Sequence, residues 1–284
     1  MTDTQQQQSN VDPDEVAKFD ALASRWWDPD GEFKPLHLMN PIRVSYIDQH
    51  AGLSGKQCLD IGCGGGILSE GMAVKAAKIT GIDMATSVLK VAKLHLLESE
   101  LDNIEYMQIG AAELAAQKSG QFDIVTCLEV LEHVPDPAAL IHACSQLVKP
   151  GGDIFFSTIN RNPKAWAIAI VGAEYLLQIL PKGTHDYAKF IQPAEMDLWA
   201  RQAGLQLQDI TGIHFSPLSE TFRLGGKPDV NYLAHFTRPR SDDQCTAHQD
   251  SLPYYLISMA LCWIQRRIWS LCSIPCSKKK TCHP

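Results

Sequence analysis

The sequence predicts a doubly wound α/β fold, Rossmann-like, with a mostly parallel sheet of about seven strands, and three features carry that expectation. Short apolar runs alternate with helical patterns from Lys56 onward. The first run ends in a glycine cluster, Gly62-Cys63-Gly64-Gly65-Gly66, that opens a helix. The second run ends in an acid, Asp83, placed twenty-one positions after Gly62.

Taken in order, Asp12-Pro13-Asp14-Glu15 marks a helix start, with Asp12 as N-cap, Pro13 at the first helical position and Glu15 closing a capping box. That helix runs to about Trp27, with Val16, Phe19, Leu22 and Ala23 on one face, before Trp26-Trp27-Asp28-Pro29-Asp30-Gly31 breaks it. A second helix spans about Pro41 to His50. Strands follow near 57–61, 77–82, 104–109, 122–127 and 153–159, with helices near 66–76, 85–99, 111–118 and 129–148. Lys149-Pro150-Gly151-Gly152 is the turn into the fifth strand. Asn162 to Lys189 interrupts the alternation, and its stretch Ala165–Leu180 carries one charge, Glu174. A helix at Pro193–Gln202, ended by Gly204, and strands at Leu205–Thr211 and Val230–Phe236 complete the pattern.

The organisation this implies is a lead over residues 1–11 without fixed structure, one domain over 12–238 with a helical insertion at 162–190, and an atypical tail over 239–284. A chain of 284 residues with 45% hydrophobic and 20% charged residues has the balance of a globular protein. Its formal charge of −7 gives no support to a nucleic-acid partner, which would need a basic surface. The polar, Gln-rich start lacks the pattern of an export signal, so a cytoplasmic setting with reduced thiols is expected. Cys58, Cys63, Cys127 and Cys144 sit in or beside apolar runs as core thiols. The tail holds six Lys/Arg against three acids, and five cysteines (245, 262, 272, 276, 282) whose spacing matches no standard zinc pattern.

The glycine loop carries the first chemical signal. Gly62-x-Gly64-x-Gly66 between a strand and a helix lets the backbone approach a ligand without Cβ interference. A dinucleotide fingerprint would need its third glycine at position 67, which is Ile67, and that reading fails. Asp60, two residues before the first glycine, would sit poorly beside a pyrophosphate but suits an amino-acid ammonium group. Asp83, at the end of the second strand, is placed to accept both hydroxyls of an adenosine ribose. Either acid taken singly could equally be a helix cap.

With these residues the chain resembles the class I S-adenosylmethionine-dependent methyltransferases. Longer strings narrow the resemblance: Ala23-Ser24-Arg25-Trp26-Trp27-Asp28, Gly31-Glu32-Phe33-Lys34-Pro35-Leu36-His37, Asn40-Pro41-Ile42-Arg43, Leu131-Glu132-His133-Val134-Pro135-Asp136-Pro137 and Pro181-Lys182-Gly183-Thr184-His185-Asp186. From about Val11 to about Thr237 the chain is similar to the bacterial ubiquinone biosynthesis O-methyltransferases. The resemblance implies S-adenosylmethionine as methyl donor and methylation of phenolic hydroxyls on 2-polyprenyl-6-hydroxyphenol and 3-demethylubiquinol. It also implies cofactor contacts at Arg43, Gly62, Asp83 and Leu128; the cofactor set expected here is therefore Arg43, Asp60, Gly62, Gly64, Gly66, Asp83 and Leu128. A guanidinium at position 43 suits the methionine carboxylate, although a surface ion pair is the alternative.

Removing the phenolic proton calls for a base or a metal ion. On a helix, Glu129, Glu132 and His133 would share one face at the carboxyl end of the fourth strand. They are candidate ligands of a divalent ion, with Mg2+ as the candidate metal by resemblance to eukaryotic relatives. Alternatively His133 acts as a base without metal, or the triplet serves structure. The apolar insertion, with Trp166 and Tyr175 flanked by Lys164 and Lys182, is a candidate contact with a membrane surface, so a peripheral position at its inner face is expected. Other ubiquinone-biosynthesis proteins are candidate partners. Two other functions stay open: a methyltransferase for another small phenolic acceptor, and a cofactor-binding scaffold of a biosynthetic complex.

Overall fold

The computed structural model describes residues 10–167 and 187–240. Most of the insertion, including Glu174, Tyr175 and Lys182, and the tail with its five cysteines lie outside the described residues.

Helix α1 (Pro13–Leu22) starts where Asp12 accepts hydrogen bonds from the amides of Asp14 (3.0 Å) and Glu15 (3.4 Å). A 3-10 turn over Ala23–Arg25 ends it. Glu15 does not close a capping box: its carboxylate turns outward to Lys18, Lys189 and His133. Three donors outcompete a single backbone amide. Helix α2 (Lys34–Ala51) begins earlier than expected and carries Pro41 in its interior, ending at Gly52 with φ 65°. Position 41 lacks an N–H, which favours a helix start there. The helix nevertheless extends toward its N-terminus because Leu36 and Met39 pack into the core.

From there the expected alternation holds. It runs β1 (Gln57–Ile61), α3 (Ile67–Ala73), β2 (Lys78–Asp83), α4 (Thr86–Glu98), β3 (Ile104–Gln108), α5 (Ala111–Gln117) and β4 (Phe122–Leu128). It continues through α6 (Pro137–Leu147), β5 (Val148–Ile159), a helical turn α7 (Pro163–Ala165), α8 (Pro193–Gln202), β6 (Gln206–Ser216), β7 (Thr221–Leu224) and β8 (Asn231–Thr237). The sheet has eight strands in the order β3-β2-β1-β4-β5-β8-β6-β7, one more than expected. β1 to β5 pair in parallel, while β8 runs antiparallel between β5 and β6. The additional strand is the short return of a hairpin on an elongated β6.

The two faces of the central strands build two cores, as the strand period of two requires. Leu59, Val125, Cys127, Ile154 and Phe156 point into one. Cys58, Ile124, Leu128 and Phe155 point into the other, against Tyr46 and Ile47 of α2. Cys58, Cys63, Cys127 and Cys144 are free and buried, as expected of core thiols. Between β4 and β5 the register shifts at Phe122/Ile124, and Gly151 takes φ 80°, so the predicted glycine turn lies inside the fifth strand's span.

Candidate active site

The strand order reverses between β1 and β4, and a crevice opens there at the carboxyl ends of the parallel strands. A cavity of about 1000 Å3 occupies it, walled by Asp60, Gly62, Gly64, Asp83, Leu128 and Arg43 among others. Sequence reasoning therefore brought six of its seven cofactor residues to one place. Gly66 is the seventh, and it does not line the cavity. It takes φ 92° at the start of α3, where a Cβ would collide with the Tyr106 hydroxyl, so its need is for packing.

The loop itself is held from both sides. The amides of Gly62 (2.8 Å) and Cys63 (3.0 Å) donate to the Ile82 carbonyl at the end of β2. Asp83 accepts from the Gly64 amide (3.0 Å) and the Ala85 amide (2.8 Å), tying the loop to the start of α4. Trp26 lies against Gly64 and Gly65, closely enough that a Cβ on either would strike its ring. Trp27 donates its indole N–H to the Gly65 carbonyl (2.8 Å) and stacks on His95, whose Nδ1 meets Glu70 (2.9 Å). The tryptophan pair thus roofs the loop, which explains a tryptophan-rich string far from it in sequence.

Asp60 is buried, and each carboxylate oxygen accepts a hydroxyl: Ser69 at 2.6 Å and Thr126 at 2.8 Å. Burial pushes its pKa up to about 6, against the pull of the two hydroxyls. Burial likewise raises Asp83, opposed by its amide donors. A raised folded-state pKa means that the unfolded chain releases the proton first, so stability falls as pH rises from about 4 to 6. The loss for Asp60 is about 3 kcal/mol, complete above the folded pKa. Asp60→Asn removes that titration. In chemical denaturation at pH 4 and pH 7, wild type is expected to lose stability relative to this variant on going to pH 7; a constant difference would overturn the assignment.

The expected helix through Glu129, Glu132 and His133 is not formed. Glu129 has φ 57°, Leu131–His133 make a 3-10 turn, and α6 starts only at Pro137 behind its N-cap Asp136. Pro135 forces the preceding Val134 out of helical geometry (ψ 149°), and Pro137 sets the true helix start. The three side chains consequently part. Glu129 accepts from Arg43 (2.7 Å), the Ser157 hydroxyl (2.7 Å) and Asn231 (3.2 Å). Glu132 is buried and accepts from Thr158 (2.8 Å), with its pKa raised by burial and by the neighbouring Glu129 charge. His133 meets Glu15 through Nδ1 at 3.1 Å and packs edge-on to Phe19. No three His, Cys, Asp or Glu side chains among the described residues come together to hold a metal ion. The donor set does not fit Mg2+ in this arrangement, because Glu129 is committed to Arg43.

The cavity fits the methionine-derived donor better. Gly62 and Gly64 have φ 69° and 54° and keep the wall thin. Arg43 is buried with its Nε unpartnered among the described residues, leaving donor capacity beyond the Glu129 pair. Sequence reasoning missed Met84 and the Ile109-Gly110-Ala111 run after β3, which also line the crevice. Their position at strand ends was the available signal.

A methyltransferase-domain model matches residues 44–210. The ubiquinone biosynthesis O-methyltransferase of Stutzerimonas stutzeri is 61% identical over 225 residues, 79% of this chain and 97% of that protein. The chain belongs to that family. The protein of the same name from Acinetobacter baylyi is 58% identical across 80% of this chain and 96% of its own. Among solved structures, the magnesium protoporphyrin IX methyltransferase of Synechocystis with bound S-adenosylhomocysteine aligns at TM-score 0.58 and 17% identity, over 79% of this chain and 99% of its own, which speaks to the fold alone. Membership makes the protein an S-adenosylmethionine-dependent methyltransferase.

Proposed function

We propose that the chain methylates a phenolic hydroxyl of a polyprenylated phenol in ubiquinone biosynthesis, on 2-polyprenyl-6-hydroxyphenol and on 3-demethylubiquinol, with His133 as the proton acceptor. The observation that carries the His133 role is its Nδ1 contact with Glu15 at the cavity wall. A carboxylate on one ring nitrogen fixes the imidazole's orientation and stabilises the charge it gains on taking a proton. Burial opposes charge on Glu15, but Lys189, Lys18 and His133 outweigh it and hold its carboxyl at about 2, so it remains ionised at any working pH.

The bound donor supplies an already activated methyl group. The chain's own residues hold and align. Arg43 and Asp60 take the carboxylate and ammonium ends of the amino-acid moiety, Asp83 the ribose, and Leu128 an apolar contact. Glu129 fixes Arg43 through their 2.7 Å ion pair. Alignment of the reacting atoms is the main demand of an in-line displacement on a sulfonium carbon.

Incubation with methyl-labelled S-adenosylmethionine and a panel of prenyl catechols tests the reading. Label is expected on the phenolic oxygen; label only on unprenylated acceptors favours a different substrate, and no turnover with intact donor binding favours a scaffold.

The acceptor's isoprenoid chain places delivery at a membrane surface. Among the described residues no helix is long and apolar enough to cross a membrane. Trp166, 47% exposed at the start of the insertion, supports contact from the outside. Deleting residues 168–186 is expected to reduce co-flotation with anionic vesicles while S-adenosylhomocysteine affinity is kept. Undiminished flotation would overturn the membrane contact.

A further inference from the structure

The cavity continues beyond the strand ends to the hairpin of β6 and β7, which nothing above uses. Phe215 pairs with Phe222 across the hairpin and Ile213 with Leu224, so these four share one face while His214, Ser216, Thr221 and Arg223 take the other. The two phenylalanine rings sit 4.8 Å apart. Ile213 is buried in the core, but Phe215 remains 38% exposed and Leu218 at the hairpin tip is fully exposed. Leu36, Leu38 and Met39 of α2 line the same end of the cavity, and α2 packs on β7. Lys34 at the start of α2 pairs with Glu220 in the hairpin turn at 3.2 Å, which holds the two walls together.

The geometry points to a subsite for the acceptor's isoprenoid chain between α2 and the β6–β7 hairpin, with Phe215 and Phe222 as its floor and Leu218 at its exit. It rests on the reading of the acceptor as a polyprenylated phenol. An apolar wall that runs from a reaction crevice to solvent is costly unless something apolar covers it. A cavity of about 1000 Å3 is at the upper end for a small-molecule site, room for a donor and more. A linear hydrocarbon chain is the occupant that matches, because Phe215, Pro217 and Phe222 of the hairpin and Leu36, Leu38 and Met39 of α2 line this end with apolar side chains, while the charges at its rim, Lys34 and Glu220, are spent on each other. Ser216, Thr221 and Arg223 lie on the hairpin's opposite face and do not line the cavity.

The test compares catechols bearing zero, one, two and three isoprene units, all in the same non-ionic detergent, on wild type, Phe215→Ser and Leu218→Ser. For wild type, kcat/KM is expected to rise about tenfold or more along the series, mainly through KM. Phe215→Ser should flatten that rise about tenfold, and Leu218→Ser should affect only the longest tail. The Kd for S-adenosylhomocysteine, expected unchanged, shows that each variant is folded. Methylation that ignores tail length in wild type, or an equal loss for every acceptor in Phe215→Ser, overturns the subsite alone. Failure of wild type to methylate any acceptor overturns the acceptor reading and the subsite together. The same series is repeated with the acceptors in vesicles; a loss in Phe215→Ser that appears there and not in detergent assigns the hairpin to the bilayer and overturns the subsite as well.

Discussion

Replacing His133 with Ala is expected to lower kcat by about 10²- to 10³-fold at neutral pH, the range a positioned general base supplies. The effect should shrink as pH rises toward the phenol's own pKa, about 10, because the acceptor then ionises without help. Glu15→Gln should cost less, about tenfold, since it keeps an oxygen facing the ring but loses the charge that stabilises the imidazolium. The Glu15 contribution has its own sign. Its carboxyl is held at about 2, below the ordinary value of 4.5, so its support is complete at working pH and is lost only as pH falls from about 4.5 to 2. Dialysis against EDTA should leave the wild-type rate unchanged, because Glu129 is bound to Arg43, Ser157 and Asn231 and Glu132 to Thr158. A wild-type kcat in the Ala variant would remove His133 from the chemistry. Lost activity after EDTA, restored by Mg2+, would mean that the Arg43–Glu129 pair opens in the working enzyme.

The part of the site that was legible in the sequence is the part built from local backbone needs. An acid next to the end of the first strand, Asp60, glycines at positive φ and an acid ending the next strand all follow from chain geometry within a single βαβ unit, and they converge on one crevice. What failed failed for nameable reasons. Helical spacing alone misplaces the Glu129–His133 segment, although Pro135 and the Asp136-Pro137 start are as informative there as Asp12-Pro13 is for α1. Gly66 fits the loop pattern, yet its neighbour is Tyr106 of β3, a contact set by strand pairing that no local motif reports. Glu15 reads locally as a cap residue because its partners His133 and Lys189 lie 118 and 174 positions away. The β7 strand of four residues was too short for a period-two signal to stand out.

Asp83→Ala is expected to weaken S-adenosylmethionine binding about 10²-fold or more. Two losses add in one substitution. The carboxylate proposed to receive the ribose disappears, and the amides of Gly64 and Ala85, now its donors at 3.0 and 2.8 Å, are left without a partner. An orphaned buried donor costs about 1–3 kcal/mol and a hydrogen bond to a charged group is worth about as much. The glycine loop would then lose its tie to α4 while keeping the one from Gly62 and Cys63 to the Ile82 carbonyl. Asp83→Asn separates the two roles, since one amide oxygen can still accept from Gly64 while the charge is gone. If the carboxylate acts only on the loop, Asn should restore most of the affinity; if it also receives the ribose hydroxyls, Asn should recover about tenfold and no more. Isothermal titration with S-adenosylhomocysteine reads the difference directly. Near-wild-type affinity in Asp83→Ala would show that neither the loop tie nor the ribose contact governs donor binding, and that Arg43 and Asp60 carry it instead.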